Sequence, residues 1–600
     1  MRVGTIVKIT LHNRRVKGWV VKDDVSAPEG VELLPILSVS SLGPPIPILE
    51  LTRWAAWRWA GTQVAFLRMA SPKRVVRSTS TLNESSPEAV VASSGRANDT
   101  ESKGVFKEAT DLARSHPGQP LLVEVPPSMD LIELVEFAVF EAQRTPKNGS
   151  VLVLVPSKGW AERLCNRLIK RGFRATSEWE QALAGWPVVV GSRAAAWAPI
   201  ERVAAAVVVD AHDGAYRSER APTFNAVDVV VRRAELDGAP CWLTSPCPTP
   251  ELVVRFRQWS PDRSIEGSGW PKLVVVDRRG EDPRTGLISE ELVALARDVL
   301  ERGSRAVFVL NRTGRARLIA CGSCGELARC ERCGSALIQE VDLYKCRRCE
   351  TERPPLCAAC GSTKMKTLRS GVSKVRDELE ALLKVRVDEI TRDSRPLRPS
   401  DPPRERDSGS KYPRHQEHAV AVVGTEAVLH RTRDAGLVAF LDFDQHLLRP
   451  EIGASHEALS LIARAGRLVG ARRSVASLSS DSHSHPRDNG VVLVQTRIPE
   501  HDVILAAERG DPGPLARSEI ELRRELSLPP FCAFASLSGP GAPPYAESLI
   551  AARGRDVEVS DLGAGRWLVR SPRHAELLDT LAAVPRPSER TRVEVDPVRI

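Results

Sequence analysis

Eight cysteines fall between Cys321 and Cys360 as four CxxC pairs: Cys321/Cys324, Cys330/Cys333, Cys346/Cys349 and Cys357/Cys360. Each pair supplies two corners of a tetrahedron, so four pairs complete two closed metal sites with no position left for water or substrate. Thiolate-only tetrahedra are the chemistry of structural zinc; a redox dithiol needs one CxxC at a helix start, not four in tandem. Two Zn2+ per chain are therefore expected. The spacers are rich in Gly, Arg and Glu. A segment so poor in apolar residues is expected to be held by its metal, at roughly 10–16 kcal/mol per site, in place of a core of its own.

The other four cysteines, Cys165, Cys241, Cys247 and Cys532, are scattered and read as small buried hydrophobes. Free thiols beside zinc thiolates indicate a reducing compartment. The N-terminus has no apolar signal-like region, and no run of 18 apolar residues occurs. A soluble cytoplasmic protein is expected.

The elements around the cysteines are short, wholly apolar runs separated by helical segments. One set comprises 151–156, 188–192, 205–211 and 241–245; a second comprises 272–277, 305–310, 419–425, 437–444 and 490–496. Uniformly apolar strands alternating with helices predict parallel sheets covered on both faces, hence two α/β lobes. The cysteine segment interrupts the second lobe after its second strand. A mixed α+β segment follows from about 501.

Tandem α/β lobes suggest a helicase-type motor, whose phosphate cradle needs free backbone N–H groups, a Lys and a Ser/Thr for magnesium. After the run 121–125 the chain reads Pro126-Pro127-Ser128-Met129-Asp130, with no glycine and no lysine, and no Gly-Lys dipeptide occurs anywhere. At the acidic strand end, Asp210 is followed by Ala211 where a second carboxylate would polarise water. Asp210 could be a magnesium ligand, but a lone Asp at a strand end reads first as structural. Arg464 and Arg467 could act as arginine fingers, bind DNA phosphate or cap a helix. No Ser/His/Asp or Cys/His catalytic constellation stands out, and ATP is not expected as a cofactor.

Charge is concentrated at the other end. Net charge is +9 overall, and residues 1–77 carry twelve Lys/Arg against five acids, which is +7 of it. A compact basic module fits a polyanion, above all nucleic acid. Two alternating strands, Val3–Leu11 and Val16–Lys22, flank the turn His12-Asn13-Arg14-Arg15, making Arg14, Arg15 and Lys17 the candidate DNA contacts. Trp54, Trp57 and Trp59 lie on a following amphipathic helix, spaced for core packing or for base stacking. Residues 78–104, 392–418 and 472–489 are polar, Ser- or Pro-rich stretches that read as linkers.

The order of these pieces resembles the PriA family of primosomal replication-restart proteins over most of the chain. The matching stretches are 310–337 with the eight cysteines, VVVGSRAAAWAPI (188–200), VVVDAHDGAYRSERAPTFNAVDVVVRRA (207–234), ALSLIARAGR (458–467), RRELSLPPF (523–531) and VEVDPVRI (593–600). The resemblance implies a basic module for the DNA 3′ end at 1–77, a linker at 78–104 and RecA-like helicase lobes at 105–268 and at 269–320 with 363–498. It also implies a two-zinc segment at 321–362 and an α+β C-terminal domain at 499–600. It pairs the outer knuckles (Cys321, Cys324, Cys357, Cys360) on one zinc and the inner ones (Cys330, Cys333, Cys346, Cys349) on the other. The degraded phosphate loop, the acidic motif reduced to Asp210 and the segment TSPCPT (244–249) fit a degenerate branch, as in actinobacteria, without intact helicase motifs. A winged-helix domain is missing, and the chain lacks a Phe-Asp-Tyr strand at its start, which leaves a misassigned start codon open.

The function these features imply is a nucleoid-associated restart protein that binds forked or single-stranded DNA and single-strand-binding protein, and loads the replicative helicase through primosome components, without unwinding DNA itself. The alternatives are an ATP-dependent 3′-5′ helicase with an unorthodox nucleotide site, and a zinc-ribbon transcription or repair regulator.

Overall fold

A computed structural model describes residues 2–26, 34–76, 105–144, 149–279, 281, 286–310, 319–340, 342–367, 372–390, 421–470, 490–552 and 557–598. The three expected linkers lie outside the described residues, as does most of the approach to the cysteines at 311–318.

The N-terminal sheet has the order β2-β1-β3, from β1 (Ile6–Leu11), β2 (Arg14–Trp19) and β3 (Ser38–Ser41). His12 and Asn13 form the turn, with φ of 47° and 59°. Two left-handed residues match the twist of a two-residue hairpin, so the turn is tighter than the sequence suggested and Arg14 and Arg15 belong to the strand. Helices α1 (Ile46–Arg58) and α2 (Gln63–Ala70) follow. Ile48, Leu51, Ala55 and Trp59 enter a core shared with the first lobe and the C-terminal domain. Trp59 stacks edge-on against Trp54 at 5.3 Å and Phe224 at 6.0 Å. Trp57 donates its indole N–H to Asp579 at 2.8 Å. Trp59 is thus core, and Trp57 is a domain contact.

The first lobe is a seven-stranded parallel sheet, β10-β4-β9-β8-β5-β7-β6. Its strands are β4 (Leu121–Glu124), β5 (Ser150–Leu154), β6 (Ala175–Thr176), β7 (Val188–Gly191), β8 (Val203–Val208), β9 (Cys241–Ser245) and β10 (Arg257–Trp259). Alternate residues serve two cores: Leu152, Leu154 and Val208 on one face, Val151, Val153 and Val207 on the other. Both faces are covered, which is why the runs show no polar alternation.

The second lobe repeats the plan with six parallel strands, β11-β21-β20-β12-β19-β18. They are β11 (Lys272–Asp277), β12 (Ala306–Val309), β18 (Val387–Ile390), β19 (Ala421–Gly424), β20 (Leu437–Phe440) and β21 (Val491–Thr496). Between β12 and β18 lies the cysteine segment, with β13 (Ile319–Cys321), β14 (Leu337–Glu340), β15 (Leu343–Cys346), β16 (Glu352–Arg353) and β17 (Met365–Thr367). β13 pairs antiparallel with β17, closing the base of the insertion.

The C-terminal domain runs β22 (Ala533–Ser538), helix Ala542–Ala552, β23 (Glu558–Gly563), β24 (Arg566–Ser571), helix His574–Ala583 and β25 (Arg592–Val595). The sheet order β23-β24-β22-β25, all antiparallel, is the split βαβ arrangement. Asp596, just past β25, joins three parts of the chain. It accepts from Arg58 of α1 at 2.7 Å, pairs with His574 at 2.8 Å, and its carbonyl accepts from Arg217 of the first lobe.

Candidate metal centres, inter-lobe cleft and basic hairpin

Each CxxC builds the same turn. The N–H of Cys321, Cys330, Cys346 and Cys357 donates to the carbonyl five residues on, at 2.8–2.9 Å. The carbonyl of the same cysteine accepts from the residue four on: Gly325, Gly334, Glu350 or Gly361. That fourth residue is left-handed in every case, with φ of 79°, 72°, 57° and 70°. The turn lifts both sulfurs to one side, and glycine suits its strained corner.

The eight sulfurs divide into Cys321/Cys324/Cys357/Cys360 and Cys330/Cys333/Cys346/Cys349, each set lying within 4.8 Å. Across knuckles, Cys321–Cys360 is 3.6 Å, Cys324–Cys357 3.5 Å, Cys330–Cys349 3.4 Å and Cys333–Cys346 3.4 Å. A tetrahedron with Zn–S of about 2.3 Å has edges of roughly 3.8 Å, so each set fits a tetrahedral ion with small adjustment. Either tetrad could hold a metal. They differ in surroundings: Cys324 and Cys360 of the outer tetrad are exposed, whereas the inner tetrad is banked by Ile319, Ala328, Leu337 and Tyr344. This small cluster corrects the expectation of a coreless segment. The sulfurs of Cys330 and Cys346 are part of the cluster, so core and metal site are one construction.

The insertion is seated on the second lobe. Leu448 packs among Ala320, Leu327 and Ala336, the N–H of Ala336 donates to the Leu448 carbonyl at 3.1 Å, and Arg497 donates to the Gly325 carbonyl at 3.4 Å.

In the cleft between the lobes, the residues singled out from the sequence meet one another. Arg467 donates Nε to Asp210 Oδ2 at 3.0 Å, Nη2 to Asp210 Oδ1, and Nη1 to the Pro127 carbonyl at 2.8 Å. Its guanidinium lies 5.3 Å over the Trp160 ring. One helical turn earlier, Arg464 pairs with Asp213. Asp213 was not foreseen as a partner. Burial alone would raise its carboxyl, but Arg464, His430 and His212 hold it down to about 2. The backbone approach is close as well. Ser128 donates to the Gly269 carbonyl at 2.8 Å, and a side chain at Gly466 would meet Pro271 at 2.9 Å. Asp130, near the position of the missing lysine, instead accepts from the N–H of Ile132 at 3.1 Å and pairs with Arg167.

A second tie spans the lobes. Arg523, from the RRELSLPPF stretch, bonds Glu251 of the first lobe at 2.6 Å and Glu519. Glu519 in turn pairs with His456 of the second lobe at 2.6 Å. Nothing local in the sequence marks this pairing, since Glu251 and Arg523 are 272 residues apart.

The hairpin sorts its charges by face. Lys8 stands opposite Lys17, and Thr10 opposite Arg15, so Lys8, Arg15 and Lys17 share one side; Arg14 stands opposite Leu11 on the other. All four are exposed and make no ion pair among the described residues. Lys8 was not singled out from sequence, although its alternation with Thr10 in β1 would place it there. Trp19 anchors the hairpin by donating to Ser71 Oγ at 2.8 Å.

Two parallel α/β lobes, with an eight-cysteine insertion in the second, carry two tetrads that could each hold a metal ion. No protein-family model matches the chain. Among curated proteins, the replication restart protein PriA of Bacillus subtilis is 25% identical over 366 residues, covering 57% of this chain and 42% of the relative. That of Treponema pallidum is 26% identical over 364 residues, covering 57% and 50%. That of Rickettsia prowazekii is 20% identical over 575 residues, covering 90% and 83%. The chain is similar to these PriA replication restart proteins, and it spans about half the length of the first two. Matches among solved structures include the Pyrococcus furiosus Hef helicase domain (TM-score 0.32, 11% identity, 68% of this chain and 98% of that one). Another is the DUF1998 helicase MrfA bound to DNA and AMPPNP (TM-score 0.35, 10% identity, 73% and 53%). Among the described residues, no helix is long and apolar enough to cross a membrane.

Proposed function

We propose that this chain is a replication-restart protein that binds forked or single-stranded DNA and promotes primosome assembly on a helicase-type body that does not unwind DNA. The observation that carries the reading is the cleft. Arg464 and Arg467, the groups that would meet a γ-phosphate, are bound to Asp213 and Asp210, and Pro126-Pro127 replace the phosphate cradle. Phosphoryl transfer depends on positioning and charge neutralisation, and each part needed for it is engaged or missing. The lobes then serve as a scaffold for the N-terminal hairpin, the cysteine segment and the C-terminal domain.

The resemblance to PriA proteins supports DNA as the ligand, and Lys8, Arg15 and Lys17 on one exposed face supply the charge. It also supports single-strand-binding protein and replicative-helicase-loading factors as partners. In both tetrads the donor set suits zinc, with ligands Cys321, Cys324, Cys357 and Cys360 for one ion and Cys330, Cys333, Cys346 and Cys349 for the other. When bound, the metal supplies a structural cross-link and no chemistry at a substrate.

The test is fork binding by fluorescence anisotropy across a salt series, alongside ATP hydrolysis with and without forked DNA. Lys8→Glu with Arg15→Glu and Lys17→Glu should weaken fork binding and flatten the salt dependence. ATP hydrolysis should stay at background throughout. DNA-stimulated hydrolysis would overturn the scaffold reading in favour of a helicase, and tight binding to an unbranched duplex of one sequence would favour a regulator.

A further inference from the structure

The turn after β4 is where a nucleotide-driven motor presents free backbone N–H groups to phosphate. Here each such group from 126 to 129 is missing or committed. Pro126 and Pro127 have none. The Ser128 N–H donates to the Gly269 carbonyl at 3.2 Å, and its hydroxyl donates to the same oxygen at 2.8 Å. The Met129 N–H turns back to the Pro126 carbonyl at 3.1 Å. Gly269 comes from the other side of the cleft, immediately before Trp270, which is fully buried in the core of the second lobe. A carbonyl of the second lobe therefore takes the donors that Ser128 offers.

Steric fit keeps it there. Gly269 has φ of −82° and ψ of −2°, a backbone open to residues with a side chain, so conformation does not call for glycine. Contact does. A Cβ at Gly269 would stand 2.4 Å from both Cβ and Cγ of Pro126. Carbon atoms pack at about 3.5–4.0 Å, and a proline ring has no rotamer that swings aside. The next residue of the turn repeats the arrangement. A Cβ at Gly466 would sit 3.3 Å from Cβ of Pro127, whose carbonyl accepts from Arg467 at 2.8 Å.

We infer that Pro126-Pro127-Ser128 and the glycines Gly269 and Gly466 form a nucleotide-independent lock, which holds the lobes closed and fills the phosphate turn with the protein's own backbone. The lock rests on the reading of the lobes as a scaffold and deepens it: a body that does not cycle needs a contact that keeps it closed without a ligand.

The experiment is hydrogen exchange read by mass spectrometry on the full chain, in peptides covering 121–131 and the strands at 151–154 and 437–440. In wild type the Ser128 and Met129 amides should be protected without ligand, and a magnesium-bound, non-hydrolysable ATP analogue should leave their rates unchanged. Gly269→Ala should speed exchange at these two amides by roughly tenfold while the strand peptides keep wild-type rates, since it forbids closure without touching either core. Adding Pro126→Gly removes both clashing carbons and should restore most of the protection; adding Pro126→Ala removes only Cγ and should not. Wild-type exchange in a folded Gly269→Ala variant overturns the lock, as does a Gly269→Ala/Pro126→Gly chain no better protected than Gly269→Ala alone. A change of rate on adding the ATP analogue to wild type overturns it without any variant having to fold. A failed lock with ATP hydrolysis still at background leaves the scaffold reading standing, whereas DNA-stimulated hydrolysis removes both.

Discussion

In the cysteine segment, eight cysteines converge on two centres, four to each; in the inter-lobe cleft, the side chains that could hold a nucleotide are bound to one another. Each set of four sulfurs lies within 4.8 Å. In the cleft, Asp210 and Asp213 take Arg467 and Arg464, and the Pro127 carbonyl takes a further N–H of Arg467. The difference lies in whether charge is self-compensated. Four thiolates packed within 4.8 Å repel until a cation arrives, so the segment depends on its ligand. The two ion pairs of the cleft are already compensated within the protein.

The largest effect that could break this comparison is metal removal. Elemental analysis of reduced protein should return two zinc ions per chain. Chelation or Cys346→Ala should unfold the insertion, at roughly 10–16 kcal/mol per site, while the two lobes keep their cooperative melting transition. Loss of the lobe transition together with the metal would show that the segment and the lobes fold as one unit. The outer tetrad, with Cys324 and Cys360 exposed, should release its ion to a chelator first.

Next in size is the cleft. Arg467→Ala leaves Asp210, only 6% exposed, as a buried unpaired carboxylate and strands the Pro127 carbonyl. Breaking such a pair costs about 3–5 kcal/mol, so thermal unfolding should shift down with no ATP hydrolysis gained or lost. A stability change within experimental error would mean the clasp is not closed in solution.

These two sites were not equally legible. CxxC spacing is a local signal, and every apolar run expected to be a strand is one, because burial on both faces leaves a continuous apolar stretch. Which knuckles share an ion is not in the spacing; it came from the family resemblance. The clasp was half legible. Asp210, Arg464 and Arg467 stood out as motif remnants, but their union joins residues more than 250 positions apart, and no periodicity encodes that. Asp213, Arg523 and Asp596 were missed for the same reason: each acts only through partners supplied by another domain. The hairpin was legible in charge and not in register, since the turn proved two residues long and moved Arg14 to the opposite face from Arg15.

A smaller effect is the pH dependence of the clasp. The Asp213 carboxyl is held at about 2 against an ordinary 3.8. A depressed carboxyl stabilises the fold at pH values above 3.8, and that contribution is lost as pH falls towards 2. The shift amounts to about 2 kcal/mol. His430, pushed down to about 4 by burial and by Arg464, adds a separate loss that begins below its ordinary 6.5. Comparing wild type with Asp213→Asn isolates the carboxylate: the stability gap between them should be constant above pH 3.8 and shrink below it. A gap independent of pH down to 2 would remove Arg464 as the partner that matters.

The smallest effect sits inside the segment that is otherwise most regular. Three knuckles place glycine at the left-handed corner, and the third places Glu350 there with φ of 57°. A side chain in that region costs about 1 kcal/mol relative to glycine, because its Cβ crowds the following carbonyl. Glu350→Gly should therefore raise the stability of the metal-bound segment by about that amount. Gly361→Ala is the converse test: φ is 70° and an added Cβ would have no atom within 4 Å, so any loss reports backbone strain and not crowding. The two changes should be similar in size and opposite in sign, read as shifts in the chelator concentration that removes the metal. If Glu350→Gly instead weakens metal retention, the Glu350 side chain contributes something at that corner which outweighs its strain, and the four knuckles are not equivalent turns.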